Sequence, residues 1–251
     1  MEIHNEGQTG MNVTVIVQAR MGSSRLPGKV MKMLSDRTVL GHVITRCQAV
    51  PSVDQIIVAT TALDSDQQIV EEAEKYGVNC YRGSEFDVLS RYYEAATFVH
   101  ADTIIRVTSD CPLLDPELVE KLIQFYHSEK YDYARIGLDC FSRGLDAEIF
   151  SYRSLQIAYE EAHTEHDKEH VTPYILTQPE RFRIGVYREE LKNNLYRLTL
   201  DTVEDWQLIS NLYEKLYQGD IIHRSIIEDY LQQNPRLAFM NAGVDQKNPT
   251  I

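Results

Sequence analysis

Nowhere in the 251 residues does an apolar stretch approach the roughly 18 to 20 positions that a helix needs to cross a bilayer, so the chain reads as soluble and cytoplasmic. Basic residues are the minority: 25 Lys and Arg stand against 38 Asp and Glu, and a net charge of −13 repels nucleic acid and anionic membranes alike. Any phosphate the chain binds must therefore meet a local cluster of cations. Only four cysteines occur, Cys47, Cys80, Cys111 and Cys140, and no C-x-x-C pair among them suggests zinc or a redox dithiol. Buried or idle thiols in a reducing cytosol are expected. Residues 1–11 have no apolar segment of the kind a secretory signal carries and are expected to be a flexible extension. No internal repeat, low-complexity tract or Pro/Ser-rich linker divides the rest, which predicts one domain over 12–242 and a flexible polar tail over 243–251.

What is present is an alternation. VTVIV (13–17) is a β-branched run that fits a strand buried on both faces, and it ends at a polar segment, 18–29. Helical spacing then covers 39–47 after a cap at Thr38. The rhythm repeats with a strand over 54–60, a helix over 64–76 followed by Gly77, a strand over 78–82, a helix over 87–99 and a strand over 103–109. A helix over 116–126 follows, capped by Asp115 with Pro116 in its first turn. Such alternation predicts an α/β fold with a mostly parallel central sheet and helices on both faces. Past about 130 the rhythm loosens, with strands expected over 131–136, 182–187 and 196–200 and a helix over 206–217. On this reading 12–128 forms a nucleotide-binding half and 129–242 an acceptor half.

The loop QARMGSSRLPGK (18–29) gathers Arg20, Arg25 and Lys29 with Gly22, Ser23, Ser24 and Gly28 directly after the first strand. That composition suits a polyphosphate: small residues let backbone N–H groups approach phosphate oxygens, hydroxyls add donors, and the cations offset roughly four negative charges. Its position agrees, since open α/β sheets bind ligands beyond the carboxyl ends of their strands. A P-loop is the rival pattern, but five residues separate Gly22 from Gly28, and Val30 stands where a metal-binding hydroxyl is needed. An exposed basic turn that binds nothing is the plain alternative.

This loop resembles the signature of the CMP-sugar synthetases, the acylneuraminate and KDO cytidylyltransferases, and most closely their spore coat polysaccharide (SpsF-type) branch. The resemblance continues through IIVATT (56–61), SEFDVLSRYYEAA (84–96), RVTSDCPLLDP (106–116), RGLDAE (143–148), EHVTPY (169–174) and YRLTLDTVEDW (196–206). It implies a nucleotidyltransferase with the glycosyltransferase-A-like, Rossmann-like fold of nucleotide-diphospho-sugar transferases, CTP as donor, Mg²⁺ as cofactor, a sugar acceptor and release of pyrophosphate. Ala19, Arg20, Gly22, Ser23, Ser24, Arg25, Lys29 and Thr108 are then nucleotide-binding candidates, with Arg20, Lys29, Asp110 and Asp201 catalytic. KDO enzymes carry Gln where this chain has Thr108, so one familiar contact to cytosine is missing here.

Asp110 should sit at a strand's carboxyl end, since Pro112 cannot continue a ladder, and a carboxylate there is what Mg²⁺ requires. A turn cap is the alternative for Asp110, and a helix cap for Asp201 or Thr202; the resemblance assigns both aspartates to the metal. Arg143, Asp146 and Glu148 lie on one short extended stretch whose alternation aims the two acids to one side, toward sugar hydroxyls or an amine, with solvated surface as the alternative. His163, His166 and His170 tempt a zinc reading, but the stretch is so charged that a solvated helix face or loop is expected. In the resembled branch EHVTPY lies near the acceptor, making Glu169 and His170 candidates for sugar contact or proton removal. A glycosyltransferase on the same fold should carry an Asp-x-Asp motif, whereas Cys111 and Pro112 follow Asp110. A silent nucleotide-binding scaffold is the other alternative. A homodimer is admitted.

Overall fold

The computed structural model describes residues 11–190 and 196–244; the rest of the expected N-terminal extension and C-terminal tail lies outside the described residues. Strand β1 (Val13–Gln18) runs through the interior of a seven-stranded sheet, because Val15, Ile16 and Val17 are apolar on both faces and all three are fully buried. Its neighbours are β4 (Gln55–Thr61) and β6 (Thr103–Thr108), both parallel to it. β5 (Asn79–Gly83) continues the parallel set beyond β4. On the other side β8 (Glu148–Ser151) runs antiparallel between β6 and β7 (Tyr133–Ile136), and β9 (Ile184–Tyr187) pairs parallel with β7. The order β5-β4-β1-β6-β8-β7-β9 is the mostly parallel sheet expected, with β8 as its reversed member. A two-stranded hairpin, β2 (Met33–Leu34) with β3 (Arg37–Thr38), stands apart.

Helices cover both faces, and local chemistry fixes their starts. Thr38 caps α1 (Val39–Gln48), accepting from Gly41 N at 2.9 Å, and α2 (Gln67–Lys75) follows a short 3₁₀ turn. Asp87 caps α3 (Val88–Phe98), and Asp115 caps α4 (Pro116–Ser128) with Pro in the first turn, as the sequence signals. The acceptor half adds α5 (Tyr152–Glu161), α6 (Glu165–His170), α7 (Pro173–Leu176), α8 (Val203–Leu216), α9 (Arg224–Gln233) and α10 (Pro235–Ala238). Val15 and Val17 pack into one core with α1, α4 and α8, while Ile16, Ile57 and Ile104 face α3 and α5 in a second core. Each fully buried aliphatic side chain there stabilises the fold by about 1.5–3 kcal/mol. Three of the four cysteines are buried and all are free thiols. Among the described residues no helix is long and apolar enough to cross a membrane.

The expected strand over 196–200 is a correction. Its alternation is real, since Leu198 and Leu200 are fully buried, but it forms only an isolated parallel bridge, Arg143 with Arg197. The segment is held by separate bonds, Arg143 N to Tyr196 O at 3.1 Å, Leu198 N to Arg143 O at 2.7 Å and Leu200 N to Asp110 O at 2.8 Å. Alternate burial between two loops produces the same pattern as a strand.

Candidate active site

The loop that leaves β1 is anchored before it turns. Ala19 is buried and donates its N–H to Ala59 O at 3.1 Å, and Met21 N donates to Asp66 Oδ1 at 2.9 Å. Asp66 is itself buried and accepts from the hydroxyls of Thr60 and Thr61 at 3.1 and 2.6 Å. This positioning carboxylate escaped the sequence reading, because an acid among other acids at a helix start looks like a cap. From there Arg20, Gly22, Ser24 and Arg25 are exposed and Ser23 is half-buried. Gly28 turns the chain with φ +64°, a region costly for any side chain with a Cβ, and so starts a single 3₁₀ turn at Lys29.

Lys29 points inward. Its Nζ lies 2.7 Å from Asp110 Oδ2 and 2.8 Å from Asp201 Oδ1, so the basic loop and both aspartates meet. Burial works to lower the Lys29 pKa, but the two carboxylates outweigh it and hold the ammonium above its ordinary value. Asp201 also receives Arg25 Nη2 at 3.2 Å and Arg197 Nη2 at 2.9 Å on Oδ2. Burial would raise its pKa, yet Lys29, Arg25 and Arg197 hold it below the usual aspartate range.

Asp201 is free for this because other residues cap α8. Thr202 accepts from Asp205 N, and the Asp205 carboxylate returns to the Thr202 N–H in a capping box. Asp205 is fully buried; it also accepts from Asp201 N at 2.9 Å, from Arg197 Nε at 2.9 Å and from Asn241 Nδ2 at 2.8 Å. Arg197, Asp205 and Asn241 were absent from the sequence-based candidates; a capping-box spacing marks Asp205, but no local pattern marks the other two.

Asp110 and Asp201 are hard oxygen donors brought to one point, and among the described residues no group of three or more His, Cys, Asp or Glu gathers elsewhere or here. A two-carboxylate set fits Mg²⁺, which otherwise keeps waters and substrate phosphates.

Beside this point, a cavity of about 570 Å³ opens on the face of the sheet that carries Thr108, lined by Arg106, Arg135, Arg143, Asp146, Glu148, His166, His170 and Thr172 among others. Asp146 accepts from Gly144 N at 2.5 Å and pairs with Arg143 at 3.3 Å; burial holds its pKa above the usual value despite Arg143. Glu148 accepts from Arg106 at 2.5 Å, from the Tyr133 hydroxyl at 2.6 Å and from the Thr172 hydroxyl at 2.9 Å. Burial pushes Glu148 up, but these partners outweigh it and hold the carboxyl below its ordinary range. Burial lowers the His170 pKa below its ordinary value, which favours the neutral imidazole. Glu169, in the last turn of α6, has a side chain 67% exposed and does not line the cavity. His166 corrects the expected solvated face, since it lines the cavity with Nε2 buried.

Comparison with known proteins places this geometry. The chain is 38% identical over 240 residues to the uncharacterized protein MJ1063 of Methanocaldococcus jannaschii, covering 95% of this chain and 98% of that one. It is 33% identical over 240 residues to the spore coat polysaccharide biosynthesis protein SpsF of Bacillus subtilis, covering 90% and 97%. The solved structure of a cytidylyltransferase from Leptospira borgpetersenii superposes with a TM-score of 0.86 at 30% identity, over 94% of this chain and all of that one. The cytidylyltransferase family model matches residues 14–233, and the chain belongs to that family.

Proposed function

We propose that this cytidylyltransferase transfers CMP from CTP to a sugar hydroxyl, with Mg²⁺ held by Asp110 and Asp201, to supply surface polysaccharide synthesis in the cytoplasm. The carrying observation is the meeting of Lys29 with both aspartates at the carboxyl end of the parallel strands. Arg20, Arg25, Lys29 and the N–H and hydroxyl groups of 22–24 bind and orient the triphosphate. The bound cation supplies charge neutralisation on the phosphates. The sugar oxygen forms a bond to the α-phosphorus as the bond to the bridging oxygen breaks, pyrophosphate leaves, and His170 takes the hydroxyl proton. No covalent enzyme intermediate is needed, because positioning and electrostatics carry such transfers. Arg143, Asp146 and Glu148 hold the sugar in the neighbouring cavity, where Arg135 Nε and His166 Nε2 are buried without hydrogen-bond partners among the described residues and can donate to its oxygens.

The test is pyrophosphate release from CTP, UTP, ATP and GTP with a panel of sugar acceptors and Mg²⁺, the products read by mass spectrometry. CMP-sugar formed from CTP alone is expected; release only with another base would overturn the donor assignment.

A further inference from the structure

We infer that Gln18 contacts the cytosine base, reading its N4 amine and N3 with the two ends of its amide; this rests on the nucleotide crevice proposed above. Gln18 is the last residue of β1, and its register partners are Ala59 on β4 and Thr108 on β6. Side chains alternate along a strand, so Gln18 emerges on the same face as Ile16, which packs in the core beside α3. Thr108, its in-register parallel neighbour, shares that face and lines the cavity.

The Gln18 backbone is satisfied: its carbonyl accepts from Ser109 N at 3.0 Å. Its side chain is not. Oε1 is buried with no hydrogen-bond partner, and among the described residues no side-chain hydrogen bond is made by the amide at all. Buried polar atoms are normally paired, so an orphaned carbonyl at the carboxyl end of β1, directly before the cationic loop, calls for a donor from outside the protein. Phosphates offer none at neutral pH, and Arg20, Arg25 and Lys29 already supply the cationic side of the crevice. The amine of cytosine does offer a donor, and the adjacent N3 accepts from Nε2. Ala59 and Thr108 are small, which leaves room beside Gln18 for a planar ring.

Losing the amide removes no hydrogen bond within the protein, so Gln18→Leu should fold as the wild type does. The measurement is calorimetric titration of the full chain, with Mg²⁺, against CTP, UTP, 2′-deoxyCTP and inorganic tripolyphosphate. Gln18→Leu is expected to bind CTP about tenfold more weakly and tripolyphosphate within about twofold of wild type. Three results would overturn the inference: Gln18→Leu binding CTP as wild type does; equal losses for CTP, UTP and tripolyphosphate, which marks a loop-positioning role; or equal losses for CTP and UTP with deoxyCTP spared, which marks a ribose contact. Wild-type protein that binds tripolyphosphate but no CTP refutes this inference alone, whereas failure to bind either refutes the crevice as well.

Discussion

The backbone N–H of Leu200 donates to the carbonyl oxygen of Asp110 at 2.8 Å, and this bond places Asp201 beside Asp110 although they lie in different halves of the chain. Lys29 closes the arrangement from the third side.

Because Lys29 and the two aspartates converge, each should be indispensable to turnover and dispensable to folding. Asp110→Asn, Asp201→Asn and Lys29→Met are each expected to lower kcat/KM for CTP by about 10²-fold or more, with circular dichroism unchanged. Chelation of divalent ions should abolish wild-type pyrophosphate release and added Mg²⁺ restore it. Full activity of either Asn variant would remove that residue from the site.

Gly144 is where RGLDAE passes the segment leading to Asp201. Its φ is +97°, and a Cβ there would lie 2.4–2.6 Å from the Leu198 carbonyl carbon and oxygen and Thr199 N, all backbone atoms with little room to yield. Gly144→Ala should cost about 2 kcal/mol or more in denaturant unfolding and also impair catalysis, since Arg143 and Asp201 hang from the same clasp. An unchanged midpoint would show that the clasp can open freely.

Asp205 serves Asp201 from behind. Asp205→Asn keeps the shape but breaks a fully buried pairing with Arg197, so a loss of about 3 kcal/mol in stability is expected together with weaker Mg²⁺-CTP binding. Calorimetric melting and nucleotide titration check the two effects separately.

Glu148 gives a pH signature. Its folded pKa lies below the ordinary glutamate value of 4.5, so in the window below 4.5 the unfolded chain binds more protons. The stabilisation from its bonds to Arg106, Tyr133 and Thr172 is therefore complete above pH 4.5 and is lost as pH falls through the folded pKa. Glu148→Gln should melt well below the wild type at pH 7, with the gap narrowing steadily under pH 4.5; a constant gap would contradict the assignment.

The alternation of strands and helices through α4 was legible because each element there is written locally: β-branched runs for buried strands, Thr38 and Asp115 at helix starts, Pro116 in a first turn. Beyond α4 the local code thins. β8 was missed because a short antiparallel strand inserted between distant partners has no crossover helix to announce it, and 196–200 was read as a strand because burial alone imitates pairing.

Residue chemistry settled which groups were available: a cationic loop with small residues at a strand end, and acids at turns where a carboxylate meets phosphate-bound metal. What the folded chain decided was which of them share a volume. Lys29 faces Asp110 and Asp201, Glu169 faces solvent, and Asp66, Arg197 and Asp205 orient the others, because such meetings depend on long-range backbone bonds that leave no periodicity in the sequence.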